Sequence, residues 1–157
     1  MLRVAAKEKS GALTLDEALT FAEKFRKDIG IEKDEAELSD GSGLSRDDLV
    51  TPQAVVKLLT WAARQPWAED FRASLPSAGE DGTLENRMKG TAAVGRVQAK
   101  TGTVNHVEGL SGYATTEHGE HLIFAIFGNG NGMRTHEAVG VVDAICVAMV
   151  EELGTGK

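Results

Sequence analysis

The 157 residues suit one domain of ordinary size, and 41% hydrophobic with 26% charged residues is the balance of a folded globular chain, not of a disordered tail. The net charge is −7 and the lysines and arginines are scattered, which excludes the concentrated basic face of a nucleic-acid binder. No stretch of about 18 apolar residues occurs, so no membrane-spanning helix is predicted.

The first residues, Met1 to Lys9, read as a helix with no entry signal. From Thr14 to Asp28 the residues Leu15, Ala18, Leu19, Ala22 and Phe25 recur at helical spacing, Thr14 and Glu17 form a capping box, and Gly30 marks the stop. The segment from Leu38 to Arg46 is rich in glycine and serine and too small-sided for a helix or a regular strand. Thr51-Pro52 opens the next helix, with threonine at the cap and proline at the first helical position. Its apolar positions Val55, Val56, Leu58, Leu59 and Ala62 run on towards Trp61 and Trp67, and Pro66 interrupts the pattern. Ser77 to Thr83 is turn-rich.

From Val94 the period changes to two, with Val97 and Ala99 alternating with Arg96, Gln98 and Lys100. Val107–Thr116 and Leu122–Phe127 supply two further strands, made antiparallel by the short Glu117-His118-Gly119-Glu120 turn. A closing helix is predicted from about Thr135 to Leu153, with Val139, Val142, Ile145, Cys146, Met149 and Val150 on its apolar face. Helices, then three antiparallel strands, then a helix make an α+β pattern with helices packed on a sheet of at least three strands.

Few residues offer chemistry of their own. Cys146 is the single cysteine; it sits in an apolar stretch and reads as a small buried hydrophobe. The histidines His106, His118, His121 and His136 lack the i, i+4 spacing with a carboxylate that a zinc helix uses, so neither a metal nor another cofactor is expected. Lys100-Thr101-Gly102-Thr103, by contrast, falls at the end of a predicted strand. There a cation, a hydroxyl and free backbone groups can hold an extended peptide by its carboxylate, and glycine permits close approach.

Lys-Thr-Gly belongs with Ser-x-x-Lys and Ser-Asp-Asn to the signature of β-lactamases and penicillin-binding proteins. Here it follows Asp40-Gly41-Ser42-Gly43-Leu44-Ser45-Arg46, Pro52, Leu75-Pro76, Gly79 and Asp81-Gly82-Thr83-Leu84, and it precedes Leu110-Ser111-Gly112-Tyr113 and the closing helix. That series resembles the C-terminal third of the class C low-molecular-mass penicillin-binding proteins, serine D-alanyl-D-alanine carboxypeptidases and endopeptidases. The resemblance implies the C-terminal part of a β-lactamase/transpeptidase-like domain. It also implies that Lys100, Thr101 and Gly102 bind the terminal carboxylate of a peptidoglycan stem peptide or a β-lactam. The Thr103 backbone N–H becomes one of two oxyanion donors, each worth roughly 3 kcal/mol in acyl transfer. The Asp40–Arg46 segment becomes a structural loop beneath that strand.

The nucleophile of that family does not occur here. Ser10, Ser39, Ser42, Ser45, Ser74, Ser77 and Ser111 are followed three residues on by Leu13, Ser42, Ser45, Asp48, Ser77, Glu80 and Ala114, so no Ser-x-x-Lys exists, and no Ser-x-Asn does either. By resemblance both lie upstream of Met1, and residues 1–157 read as one partial domain shortened at its N-terminus. Family members work outside the cytoplasm, although the chain shows no signal peptide. Two alternatives stand beside the carboxypeptidase reading. One is a non-catalytic fragment that binds peptide or associates with itself through uncovered apolar surface. The other is a minor serine esterase or β-lactamase-like hydrolase using Ser42 or Ser45 with His106 and Asp40 or Glu108.

Overall fold

Thr14 and Glu17 close the predicted capping box: Thr14 Oγ1 accepts from Glu17 N at 3.2 Å and Glu17 Oε2 accepts from Thr14 N at 3.0 Å. The helix they start, α2 (Leu15–Asp28), is preceded by α1 (Leu2–Ser10), which ends at Gly11 in the left-handed region at φ 74°. These elements belong to the first of two compact units, Met1–Trp61 and Ala62–Lys157, in a computed structural model that describes residues 1–104, 106–130 and 132–152.

The first unit packs α1 on α2, sets Phe25 edge-on to Trp61 at 4.9 Å, and buries Ile31, Ala36 and Ala54 together. The proline-led helix forms as predicted as α3 (Pro52–Ala62), with Thr51 Oγ1 accepting from Ala54 N at 3.1 Å. Between α2 and α3 lies a pair of two-residue strands that periodicity does not reveal, β1 (Ala36–Glu37) and antiparallel β2 (Leu49–Val50). They close the glycine- and serine-rich segment into a loop, which is tied by carboxylates to its own backbone. Asp48 Oδ1 accepts from Ser39 N at 2.7 Å and Asp40 Oδ1 accepts from Ser42 N at 2.7 Å.

In the second unit a short helix, α4 (Ala68–Ala73), and a 3-10 turn (Gly82–Leu84) precede an antiparallel sheet of order β3-β4-β5, formed by β3 (Val97–Val104), β4 (Val107–Thr115) and β5 (His121–Asn129). The register runs from Val97 opposite Ala114 to Val104 opposite Val107, and from Val107 opposite Asn129 to Thr115 opposite His121. The α+β class and the antiparallel order match the sequence reading, whereas the start of β3 does not. Gly95 takes φ 68° and Arg96 N donates to Ala93 O, so Val94–Arg96 is a turn and the strand begins at Val97.

Alternation then sorts β3 into two faces. Val97 and Ala99 point to a core of Leu84, Leu110, Ala114 and Phe124, covered by the closing helix α5 (Thr135–Glu152). The stripe α5 buries is Ala138, Val142, Cys146 and Val150, a strict i, i+4 row. Ile145, predicted on the apolar face, stands 42% exposed: it lies one position off that row and leans over the side of the helix. Arg87 fixes α5 to the turn region by donating from Nε at 2.9 Å and Nη2 at 2.6 Å to Asp143 Oδ1.

Burial pushes the Cys146 thiol up to about 12, with the Asp143 carboxylate adding to the effect. Since the thiolate is the reactive form, Cys146 is expected not to react with a disulfide reagent such as DTNB at pH 8 in the folded protein and to react fully in denaturant. Reaction at the rate of a free thiol in native buffer would show that this core is open.

Candidate functional site

In an antiparallel strand the N–H and C=O of one residue point to the same side, and consecutive residues point to opposite sides. Ala78 N donates to Val97 O at 2.9 Å and Ala99 N donates to Pro76 O at 3.0 Å, so the odd-numbered residues of β3 face away from β4. Thr115 N donates to Arg96 O, which places the even-numbered side of the ladder towards β4. By this parity the N–H groups of Thr101 and Thr103 open onto the outer edge of the sheet.

The edge is covered for only half its length. Pro76–Ala78 pairs with Val97–Ala99, including a bridge between Ser77 and Gln98, and the covering loop is braced by Asp81 Oδ1 accepting from Ser77 N at 2.8 Å. Beyond Ala99, no backbone group among the described residues pairs with the outer side of Thr101 or Thr103. The structure therefore brings the four sequence-predicted residues to the open half of an edge strand.

Their side chains divide between the two faces. Thr101 and Thr103 share the face of Val97 and Ala99, while Lys100 and Gly102 share the opposite one. Lys100 is exposed and its Nζ donates to Thr101 O at 2.7 Å, which keeps the cation against the open edge. A Cβ built on Gly102 meets no atom within 4 Å, so the fold itself does not demand glycine there.

Two partners of these residues escape sequence reasoning. Thr101 Oγ1 donates to Thr83 Oγ1 at 3.2 Å, and Thr103 Oγ1 donates to Glu108 Oε2 at 2.9 Å. Glu108 sits directly across the ladder from Thr103 and is 5% exposed, and a cross-strand pair of this kind follows from register alone. Nothing in the spacing of Thr83 and Thr101, eighteen residues apart, announces their contact. On the Lys100 face, Arg72 of α4 lies 5.8 Å over the Tyr113 ring, and it donates to Gln98 Oε1 at 2.5 Å and Thr115 Oγ1 at 3.0 Å. The Tyr113 hydroxyl is raised above its usual range by burial.

The serines weighed as nucleophiles act as loop hydrogen-bonders. Ser42 Oγ accepts from Leu44 N at 3.0 Å and Ser45 Oγ accepts from Asp47 N at 3.2 Å. They and Asp40 belong to the first unit, and His106 and Glu108 belong to the second. His106 takes φ 63° at the β3–β4 turn, where its carbonyl accepts from Gly130 N. Among the described residues no cluster of three or more His, Cys, Asp or Glu could hold a metal ion, and no helix is long and apolar enough to cross a membrane.

Comparison with known proteins gives this edge a context. The profile of the D-Ala-D-Ala carboxypeptidase 3 (S13) family matches residues 1–149. The chain is 44% identical over 159 aligned residues to the D-alanyl-D-alanine carboxypeptidase of Actinomadura sp. strain R39, covering 98% of this chain and 29% of that protein. It is 35% identical to carboxypeptidase DacB of Mycolicibacterium smegmatis, over 74% of this chain and 27% of that one. Its fold is similar to penicillin binding protein 4 (dacB) of Haemophilus influenzae, solved with a β-lactam, at a TM-score of 0.82 and 26% identity, covering 96% of this chain and 37% of that one. The chain thus spans about a third or less of these relatives' length, and over that length it belongs to the D-Ala-D-Ala carboxypeptidase 3 (S13) family.

Proposed function

We propose that the open half of β3 is the carboxylate-holding wall of a serine-type D-Ala-D-Ala carboxypeptidase. It acts on peptidoglycan stem peptides and recognises β-lactams, and residues 1–157 form one part of its penicillin-binding domain. Lys100 and Thr101 hold the terminal carboxylate, Gly102 lets the ligand backbone approach, and the Thr103 N–H donates to the developing oxyanion. The observation that carries this reading is an edge strand paired up to Ala99 and open from Thr101, with a cation, two hydroxyls and a side-chain-free position at the opening.

The roles follow from charge and geometry. An ammonium and a hydroxyl give a carboxylate charge-assisted bonds, which are stronger than neutral ones. An unpaired N–H on the same edge, two residues on, meets the carbonyl oxygen of a peptide laid alongside as an added strand. Neither Ser-x-x-Lys nor Ser-x-Asn occurs in the 157 residues, so the attacking hydroxyl and its base are supplied by other sequence. Like its family, the enzyme works outside the cytoplasm on the cell wall.

The test is titration of the chain with N-acetyl-D-Ala-D-Ala and with the same dipeptide carrying a C-terminal amide, followed by backbone amide NMR. The acid is expected to bind more tightly by at least about tenfold, a charged hydrogen bond being worth roughly 1.5–3 kcal/mol, and to shift the amides of Thr101 and Thr103. Equal binding of acid and amide, or shifts confined to other strands, would overturn the reading. Incubation with a fluorescent penicillin is expected to leave the intact mass unchanged.

A second reading is self-association. The outer side of β5 has no strand partner among the described residues, and Val141 and Ile145 stand exposed one helical turn apart on α5. It predicts a dimer by sedimentation at micromolar concentration, and a monomer there discards it.

A further inference from the structure

We propose that Thr83 is a positioning residue for the carboxylate site: its hydroxyl holds and polarises the Thr101 hydroxyl without touching the ligand. The inference rests on the proposed carboxylate-holding role of Lys100 and Thr101.

Thr83 stands on an element fastened to the same strand edge. Leu84, beside it, is fully buried and its carbonyl accepts from Gly79 N at 3.0 Å. Leu84 N donates to Asp81 O, and the Asp81 carboxylate takes the Ser77 N–H. Pro76–Ala78, at the head of this loop, is itself hydrogen-bonded to Val97 and Ala99. Gly82 takes φ 52°, and a Cβ there would come within 3.1 Å of the Pro76 ring, so the turn is folded closely on its own base. Thr83 is therefore carried to a set place at the point where the covered half of β3 gives way to the open half.

Among the described residues its exposed side chain has one hydrogen-bond partner, the Thr101 hydroxyl at 3.2 Å. A threonine hydroxyl has one hydrogen and two acceptor sites. Thr101 donates its hydrogen to Thr83 Oγ1. When Thr101 turns that hydrogen to a carboxylate, a lone pair of Thr101 Oγ1 comes to face Thr83, and the Thr83 hydroxyl can turn and donate to it. The pair then forms a two-link chain ending at the anion, in which each bond strengthens the next. The stiff χ1 of both threonines keeps the links aligned. Without the Thr83 hydroxyl, Thr101 must hold its rotamer alone.

The test compares wild type, Thr83→Val and Thr83→Ser, each titrated with N-acetyl-D-Ala-D-Ala and its C-terminal amide. Valine keeps the shape and removes the hydroxyl; serine restores it. Thr83→Val is expected to reduce the preference for acid over amide by about threefold to tenfold, the value of one hydrogen bond. Amide binding should be unchanged, and Thr83→Ser should retain the preference within about twofold. Because Thr83 is exposed, all three proteins should unfold at about the same temperature. A Thr83→Val protein with the full preference overturns the inference and leaves the role of Lys100 intact. So does a Thr83→Ser protein as impaired as Thr83→Val, or an equal loss of both ligands. A wild type with no preference overturns both.

Discussion

Alanine at position 112 is expected to destabilise the sheet unit by about 3 kcal/mol, at the upper end of overpacking costs. Gly112 pairs with Ala99 across β3 and β4, and since the backbone of Ala99 faces outward, the two form a non-hydrogen-bonded pair, the closest approach in an antiparallel ladder. A Cβ on Gly112 would lie 2.6 Å from Ala99 Cα, 2.8 Å from Ala99 Cβ and closer still to the Gln98 carbonyl oxygen. Two of these obstacles are backbone, and the Ala99 methyl is packed in the core, so no side chain can swing aside. For a unit of roughly a hundred residues, the loss corresponds to a fall in melting temperature of roughly 12–24 °C.

Gly102, on the same strand pair, supplies the control. A Cβ there meets nothing within 4 Å, so Gly102→Ala should change stability by less than about 1 kcal/mol. Thermal unfolding followed by far-UV circular dichroism separates the two. Equal melting temperatures for Gly112→Ala and wild type would show that β3 and β4 do not approach as closely as the register requires. On the proposed function, the silent glycine for folding is the sensitive one for ligand: Gly102 is kept small by what must lie against it from outside.

Those two glycines also show where sequence reading stops. Both sit in strands of clear period two, and no local property of the string separates one excluded by a neighbouring backbone from one facing open space. Elements whose cause is local were legible: the Thr14–Glu17 box predicts the start of α2, Thr51-Pro52 the start of α3, and the alternation from Val97 the first strand of the sheet. Where tertiary geometry decides, local pattern misleads. Val94 fits the alternation, but Gly95 holds it in a turn. Ile145 fits a helical stripe one position wider than the one α5 buries. Ala36–Glu37 and Leu49–Val50 are too short to show a period. The candidate site follows the same division. Lys100 to Thr103 were visible as a string, while the limit of the covered edge at Ala99 and the contact of Thr101 with Thr83 arise from a loop folding back on the strand.

Removal of the Lys100 ammonium has the largest expected effect on ligand binding. Lys100→Ala should weaken binding of N-acetyl-D-Ala-D-Ala by roughly tenfold to a hundredfold, the value of a charge-assisted hydrogen bond, and should leave the amide analogue unaffected. The ammonium is exposed and spends its bond on the Thr101 carbonyl of its own strand, so its loss removes no packing and the melting temperature should hold within about 2 °C. An exposed charge pair is screened, so the wild-type preference for acid should shrink between 0.05 and 0.5 M salt, over which the Debye length falls several-fold from above about 10 Å. Lys100→Arg should restore the salt dependence, but only part of the affinity. The guanidinium keeps the charge, yet its planar fork is not interchangeable with a compact ammonium in a site built for one. If Lys100→Ala binds acid and amide as wild type does, the lysine is only an exposed strand end, and the carboxylate grip falls to the threonines alone. If both ligands weaken together, Lys100 shapes the edge and does not select charge. A loss confined to the acid and graded by salt, with an unchanged fold, is the outcome that a cation at the open half of an edge strand requires.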